Sequence, residues 1–173
     1  MAHEPYTRTN QKIFFAGLAL ESLSKAEQGA VANAQALQQA EREAALFHLY
    51  GAVLALCHEV TDYYKLAIAG APRVDLILSP QALEMSPTPE LSELLEIVQQ
   101  PESWLAQLLA AHANLHRPPQ APKKAKVDPT LPLIEAVSLE TQQEAPLSSA
   151  DLEAWRQQLK QLVLRYRESL SEC

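Results

Sequence analysis

The chain has 173 residues, of which 47% are hydrophobic and 20% are charged, and these proportions are typical of a globular protein rather than a disordered one. The net charge of −7 argues against nucleic acid or an anionic membrane as a partner. Only four glycines occur, while Ala, Leu, Glu and Gln dominate and β-branched residues are sparse. This composition predicts an all-α fold.

Two long helices are predicted first. One runs over residues 9 to 28, with Thr9 as its N-cap and Gly29 as its left-handed stop. Its middle, residues 13 to 20, is apolar on every side, which places it at the centre of a bundle. The second follows Asn33 as N-cap and runs over residues 34 to 68, a length of about 50 Å. Together they predict a long antiparallel helical hairpin.

Shorter helices are predicted after the hairpin. Ser79 and Thr88 are each followed by proline, the pattern of an N-cap with proline at the first helical position. They predict helices over residues 81 to 85 and 89 to 100, and Pro101 leads into another helical stretch over residues 102 to 116. Residues 74 to 116 contain six acidic side chains and no Lys or Arg, so this lobe is locally acidic.

The last part of the chain predicts a linker and a docking helix. Residues 117 to 132 hold five prolines and a basic patch of Arg117, Lys123, Lys124 and Lys126, typical of a linker. Residues 133 to 140 alternate weakly and are expected to lie extended. An amphipathic helix follows Ser149 as N-cap. Its apolar stripe is Leu152, Trp155, Leu159, Leu162, Val163, Tyr166 and Leu170.

These elements predict a bundle of four to six helices. Residues 1–116 form its core, residues 117–132 form a proline-rich linker, and residues 133–173 form a C-terminal segment and helix that pack on the core. The stability of the hairpin is expected to depend most on five large side chains. They are Phe14, Phe15, Leu46, Phe47 and Leu54.

The candidate catalytic residues lie on the second helix. His48, Glu59 and Asp62 fall on one stripe at steps typical of one helix face, and His58 precedes Asp62 by four residues. A carboxylate beside an imidazole can orient it as a general base. The alternative interpretation is structural, because a histidine on an apolar helix is more often a core residue bonded to a carboxylate or a carbonyl.

Other site candidates are weaker. His58, Tyr63 and Tyr64 could contact a ligand, although paired tyrosines more often close the end of a bundle. Neither a Glu-x-x-His nor a His-Glu-x-x-His motif occurs, and the cysteines, Cys57 and Cys173, are too few and too distant for a disulfide framework or a zinc site. No metal and no cofactor are therefore predicted.

Three stretches carry a family resemblance: TRTNQKIFFAGLALESL (residues 7–23), REAALFHLYGAVLALCHEV (42–60) and DLEAWRQQLKQLVLRYRESL (151–170). They resemble a bacterial family of small all-helical proteins of unknown function, which implies a helical fold and no particular activity. The stretch ALFHLYGAVLAL is more loosely similar to the HEPN group, whose members bind nucleotidyltransferases or act as ribonucleases. The ribonucleases separate Arg from His by four residues, whereas five separate Arg42 from His48.

The leading functional hypothesis is a non-enzymatic interaction module that binds another protein or itself, because an amphipathic helix on a tether can dock in cis or in trans. The alternatives are a small-ligand binder or enzyme using the stripe on the second helix, and a HEPN-like partner of a nucleotidyltransferase. A cytoplasmic location is expected. The N-terminus lacks the apolar stretch of a signal peptide, and the longest nearly unbroken apolar run, about 14 residues, is shorter than a membrane span.

Overall fold

The computed structural model describes residues 6–29, 32–118 and 145–171, and in them the chain is all α-helical, with seven helices and no strand. The linker beyond residue 118 and the segment predicted to be extended, residues 133–140, lie outside this part of the chain. The helices are α1 (Tyr6–Glu27), α2 (Ala34–Tyr63), α3 (Val74–Ile77), α4 (Pro80–Met85), α5 (Pro89–Gln99), α6 (Trp104–Asn114) and α7 (Ser149–Ser171).

The predicted hairpin is confirmed. Contacts between α1 and α2 pair Phe15 with His48 and Ser22 with Glu41. The residue numbers rise on one helix as they fall on the other, so the two helices are antiparallel. Small side chains such as Ala16 and Ala52, both fully buried, let the two helices approach closely.

The second helix is shorter than predicted, because α2 ends at Tyr63. Lys65 adopts the left-handed conformation, with φ of 54°. The amide of Lys65 donates to the carbonyl of Asp62, and the amide of Leu66 donates to the carbonyl of Thr61. These two bonds form a Schellman termination. The sequence did not predict this termination, because the left-handed position is usually occupied by glycine and here by Lys65.

The helices α4 and α5 begin where Ser79 and Thr88 predict, whereas α6 begins at Trp104, with Ser103 as its N-cap, and not directly after Pro101. The side chains of Ser79, Thr88 and Ser103 each accept a hydrogen bond from the amide three residues later. The single turn α3 was not predicted and raises the helix number above the expected four to six. Its first amide, that of Val74, donates to the hydroxyl of Tyr50 on α2.

The final helix docks in cis, and every residue of its predicted stripe is buried. Ser148 is its N-cap rather than Ser149. The Ser148 hydroxyl accepts from the amide of Asp151, and the Asp151 carboxylate accepts from the amide of Ser148. This is a reciprocal capping box. Contacts of Ser149 with Glu27 and of Arg156 with Ile13 show that α7 runs antiparallel to α1.

The expectation about large core side chains is partly wrong. Leu46 is buried, whereas Phe14 is 60% exposed and Phe47 is 54% exposed. Phe15 and Leu54 are half-buried. The core instead consists largely of leucines on facing helices, such as Leu23, Leu49, Leu108 and Leu159.

By length and composition α2 could cross a membrane, with a mean hydropathy of 1.3 over its most apolar 18 residues, but 61% of that window is buried inside the protein. An apolar helix covered by α1, α6 and α7 is what the central helix of a bundle requires. The hydropathy of α2 is therefore explained by its place in the core.

Candidate functional site

Glu59 is buried in an ion pair. The guanidinium of Arg167 on α7 reaches its two carboxylate oxygens, with Nη2 2.7 Å from Oε1 and Nε 3.0 Å from Oε2. The hydroxyl of Thr9 on α1 also donates to Oε1. Because a bidentate guanidinium and a hydroxyl already occupy the carboxylate, Glu59 joins three helices and is not available to a ligand.

Arg167 has further partners on α1. Its Nη1 lies 2.9 Å from Oδ1 of Asn10, and its guanidinium lies 4.5 Å from the centre of the Tyr6 ring. The sequence did not indicate that Arg167 and Thr9 contact Glu59, because both lie far from it along the chain. No local pattern marks such a contact, although a carboxylate on an apolar helix does call for a partner. Thr9 was predicted as an N-cap, but it lies inside α1, which begins at Tyr6.

The stripe on α2 does not form one site. The rise of a helix places His48 about 16 Å from Glu59 along the axis. Asp62 is exposed and pairs with Lys65 at 3.4 Å. The three side chains therefore lie in three different environments, and their geometry assembles no acid–base pair.

His48 lies among aromatic rings. The ring centres of Phe15 and Phe47 are each 5.4 Å from the imidazole centre. Its Nδ1 is buried and has no hydrogen-bond partner among the residues that the structure describes. Burial, followed by the charge of Lys12, lowers the pKa of His48 below its usual 6.5, so the ring is neutral at pH 7. Among the described residues, no carboxylate is hydrogen-bonded to Nδ1 to make the ring a stronger base.

The remaining candidates, His58, Tyr63 and Tyr64, form contacts within the protein near the C-terminal end of α2. Nε2 of His58 lies 2.8 Å from the carbonyl oxygen of Ala71, just after the turn that ends α2. The hydroxyl of Tyr64 donates to Oε2 of Glu90 at 3.1 Å, and the Tyr63 ring packs edge-on against it at 5.0 Å. In the described part of the chain, no group of three or more His, Cys, Asp or Glu could hold a metal ion.

The conspicuous surface feature lies on the outer side of α1. Phe14 and Leu18, one turn apart, are 60% and 50% exposed; Phe47 on α2 is 54% exposed and Leu164 on α7 is 60% exposed. We call these four residues the exposed apolar surface. Phe15 connects them, because its ring lies 6.3 Å from that of Phe14 and also contacts His48, which packs on Phe47.

A groove borders this surface on each side of α1. Between α1 and α7, Phe14 and Leu164 line a groove of about 200 Å³ together with Lys160. Between α1 and α2, Leu18 and His48 line a shallower one of about 360 Å³. The surface is therefore a ridge with a depression on either side, a shape that another helix can pack against.

Cations flank the ridge. The ammonium of Lys12 lies 4.9 Å from the centre of the Phe47 ring, and its aliphatic chain crosses Gly51, where an added Cβ would lie 3.2 Å from it. On the other side, the Arg156 guanidinium crosses Gly17 in the same way. Glycine at these two positions leaves room for long basic side chains to lie flat beside the aromatic rings.

The fold and this site define a helical bundle protein with an exposed apolar ridge and no assembled catalytic group in the part that the structure describes. The chain belongs to the family of unknown function DUF6586, whose model matches residues 1–173. The resemblance to a helical family of unknown function is thus confirmed, while the bacterial origin and the likeness to the HEPN group stay predictions. No curated protein and no solved structure matches the chain.

Proposed function

We propose that this protein is a non-enzymatic interaction module that binds another protein through the exposed apolar surface. The observation that carries the proposal is the position of Phe14 and Phe47. Both aromatic rings lie more than half in solvent, although the fold buries Leu23 and Leu49 on the same two helices completely. A site for these rings on a partner would remove them from water.

The energy available at this surface suits a protein contact. Full burial of a Phe or Leu side chain contributes about 1.5–3 kcal/mol, and aromatic residues are enriched among the side chains that dominate binding energy. Phe14, Leu18, Phe47 and Leu164 come from three helices that pack on one another, so their relative positions are set before a partner arrives. A surface that is already ordered loses little entropy on binding.

Nothing comparable supports a reaction. Glu59 is occupied by Arg167, Asp62 is exposed, and no described carboxylate is hydrogen-bonded to Nδ1 of His48. The amphipathic helix α7, which motivated the interaction hypothesis, is itself docked in cis. The binding surface is therefore assigned to the outer face of α1 and its neighbours rather than to the apolar stripe of α7.

Site-specific photo-cross-linking in the native host tests the proposal. A photoreactive phenylalanine analogue is introduced at Leu18 or Leu164, and at Met85 as the control. Met85 is also an exposed apolar residue, at 86%, but lies on α4. We expect a discrete adduct of higher mass from Leu18 and Leu164 and none from Met85. The absence of an adduct from the first two positions, or equal adducts from all three, would contradict the proposal.

A further inference from the structure

The partner that covers this surface can be specified further, given the proposed function, because of the charges around it. The ridge carries basic side chains on both flanks: Lys12 beside Phe47, and Lys160 and Arg156 beside Phe14. The chain has a net charge of −7, so basic side chains beside its most exposed aromatic residues indicate that the partner is negatively charged at this contact.

Two of these cations are not neutralised by the fold. Arg156 donates to Glu153 at 2.9 Å, whereas neither Lys12 nor Lys160 forms an ion pair with a described residue. Lys12 also has a cationic neighbour, Arg8, one turn earlier on α1. A carboxylate from a partner would therefore meet unpaired positive charge on either side of the apolar ridge.

Two acidic side chains near the ridge have hydrogen-bond partners within the fold. Glu21, which follows Leu18 by three residues, pairs with Lys25 at 2.6 Å. Glu41, in the groove between α1 and α2, accepts a hydrogen bond from Ser22 at 2.9 Å. The ion pair with Lys25 neutralises Glu21, whereas the hydroxyl of Ser22 is neutral and leaves the negative charge of Glu41 on the α2 side of the ridge.

We propose that the exposed apolar surface binds an amphipathic helix with acidic flanks, supplied by a different protein. Apolar residues at steps of three and four on that helix contact Phe14, Leu18, Phe47 and Leu164, and carboxylates on its two flanks meet Lys12 and Lys160. A helix laid along a groove between helices is a common mode of peptide recognition, and the surface has one groove on each side of α1.

Other occupants fit the charges less well. In a symmetric dimer formed through this surface, the same patch faces itself, so the lysine-rich rims of the two copies would be brought together. An anionic membrane would meet two unpaired lysines beside the ridge but also the field of a protein of net charge −7. Charge complementarity therefore favours an acidic helix over both.

Binding of designed peptides to the full-length protein tests this inference. The probe is a fluorescent helical peptide with leucines on one stripe and glutamates on both flanks, and its partner probe has lysine in place of every glutamate. We expect the acidic peptide to bind about tenfold more tightly at low salt, because each exposed ion pair contributes a few-fold in affinity. Fluorescence anisotropy measures both affinities.

Charge reversal provides the second arm. The double variant Lys12→Glu/Lys160→Glu is expected to prefer the lysine peptide, whereas the control Lys65→Glu, a single reversal of an exposed lysine after α2, keeps the preference for the acidic peptide. Circular dichroism verifies that each variant is folded. Phe14→Ser is expected to weaken both peptides equally, since it removes apolar contact and no charge.

Several results would overturn the inference. They are equal affinity for the two peptides, no binding of either, an unchanged preference in the double variant, dimerisation through this surface in light scattering, or tighter binding to vesicles of phosphatidylcholine and phosphatidylglycerol than to the acidic peptide. Binding that arises only after Ile134→Ser and Leu139→Ser would instead show that the chain's own segment covers the surface. Cross-linking from Leu18 in cells tests the proposed interaction separately, because the formation of an adduct does not depend on the charge of the partner.

Discussion

At the scale of single residues, the need of the buried Glu59 carboxylate for a partner could be predicted from the sequence of α2, but the identity of that partner could not. A glutamate among Val, Leu and Ala on α2 needs a partner once buried, and the pattern of one helix cannot say which. The partner, Arg167, lies on the polar side of the predicted stripe of α7, and its side chain reaches back across the end of the bundle. The sequence thus indicated a residue of interest but not its role.

Removing one member of this pair is expected to be costly. The side chain of Glu59 is 1% exposed and that of Arg167 is 18% exposed, so Arg167→Met leaves a buried carboxylate without its cation. We expect a loss of about 3–5 kcal/mol in the free energy of unfolding, measured by urea denaturation. The double variant Glu59→Leu/Arg167→Met should lose less than Arg167→Met alone. A loss in the double variant equal to the sum of the losses of Glu59→Leu and Arg167→Met, each measured alone, would show that the pair is not coupled.

Cys57 is expected to be unreactive while the protein is folded. Burial raises the pKa of its thiol from 9.0 to about 12, and the residue is fully buried. In a Cys173→Ser background, iodoacetamide at pH 9 should modify the unfolded chain and leave the folded chain intact. Mass spectrometry with and without urea measures the difference.

The raised pKa of Cys57 also has a consequence for stability. The unfolded thiol loses its proton near pH 9 while the folded one keeps it, so the contribution of Cys57 to the free energy of unfolding declines as pH rises above about 9. Rapid modification of the folded protein would contradict both the burial and the raised pKa.

At the scale of elements, α7 and α2 differ in how far the sequence predicted them. The apolar residues of α7 recur at helical spacing without interruption, and the opposite face is charged. The sequence therefore predicted every buried position of this helix. The end of α2 was not predicted, because Lys65 takes a conformation that its residue type does not suggest. Likewise, the apolar run on α1 predicted full burial, but Phe14 and Leu18 lie on a side of α1 that none of the seven described helices covers.

The left-handed position at the end of α2 predicts a stabilising substitution. Lys65→Gly relieves a backbone conformation that costs a non-glycine residue about 1–2 kcal/mol, offset in part by the greater entropy of glycine in the unfolded chain. A net gain of about 0.5–1 kcal/mol in the free energy of unfolding is expected, because the exposed ion pair with Asp62 contributes little.

Gly70 provides the control for this substitution. It has φ of 82° and is already suited to a left-handed position, so Gly70→Ala should lower the midpoint of thermal unfolding while Lys65→Gly raises it. A loss of stability in Lys65→Gly would contradict the Schellman termination of α2.

At the scale of the whole molecule, the architecture is a hairpin of α1 and α2 with α7 packed antiparallel to α1 and the short helices α3 to α6 over the remaining face of α2. The composition predicted the class of fold, and the periodicity predicted the central hairpin. The arrangement around it depends on contacts between distant residues, such as the stacking of His112 on Tyr50 with ring centres 3.8 Å apart, which no local pattern encodes.

The cis docking of α7 is expected to survive a break in the chain. Its stripe buries seven apolar side chains, including Trp155 and Tyr166, and each contributes about 1.5–3 kcal/mol. A protease site inserted within residues 119–144 and cleaved after folding should yield two fragments that elute together in size-exclusion chromatography. Separation of the fragments at micromolar concentration would show that α7 is held mainly by its covalent connection.

The central claim is that Phe14 and Phe47 are exposed in the free protein and contact a partner. It is most directly tested with the double variant Phe14→Ser/Phe47→Ser, which carries the photoreactive residue at Leu164. We expect this variant to keep the urea midpoint of the parent, since both rings lie largely in solvent in the free protein, and to lose the cross-linked adduct in cells. An adduct that persists undiminished, or a variant that fails to fold, would contradict the assignment of this surface to a partner.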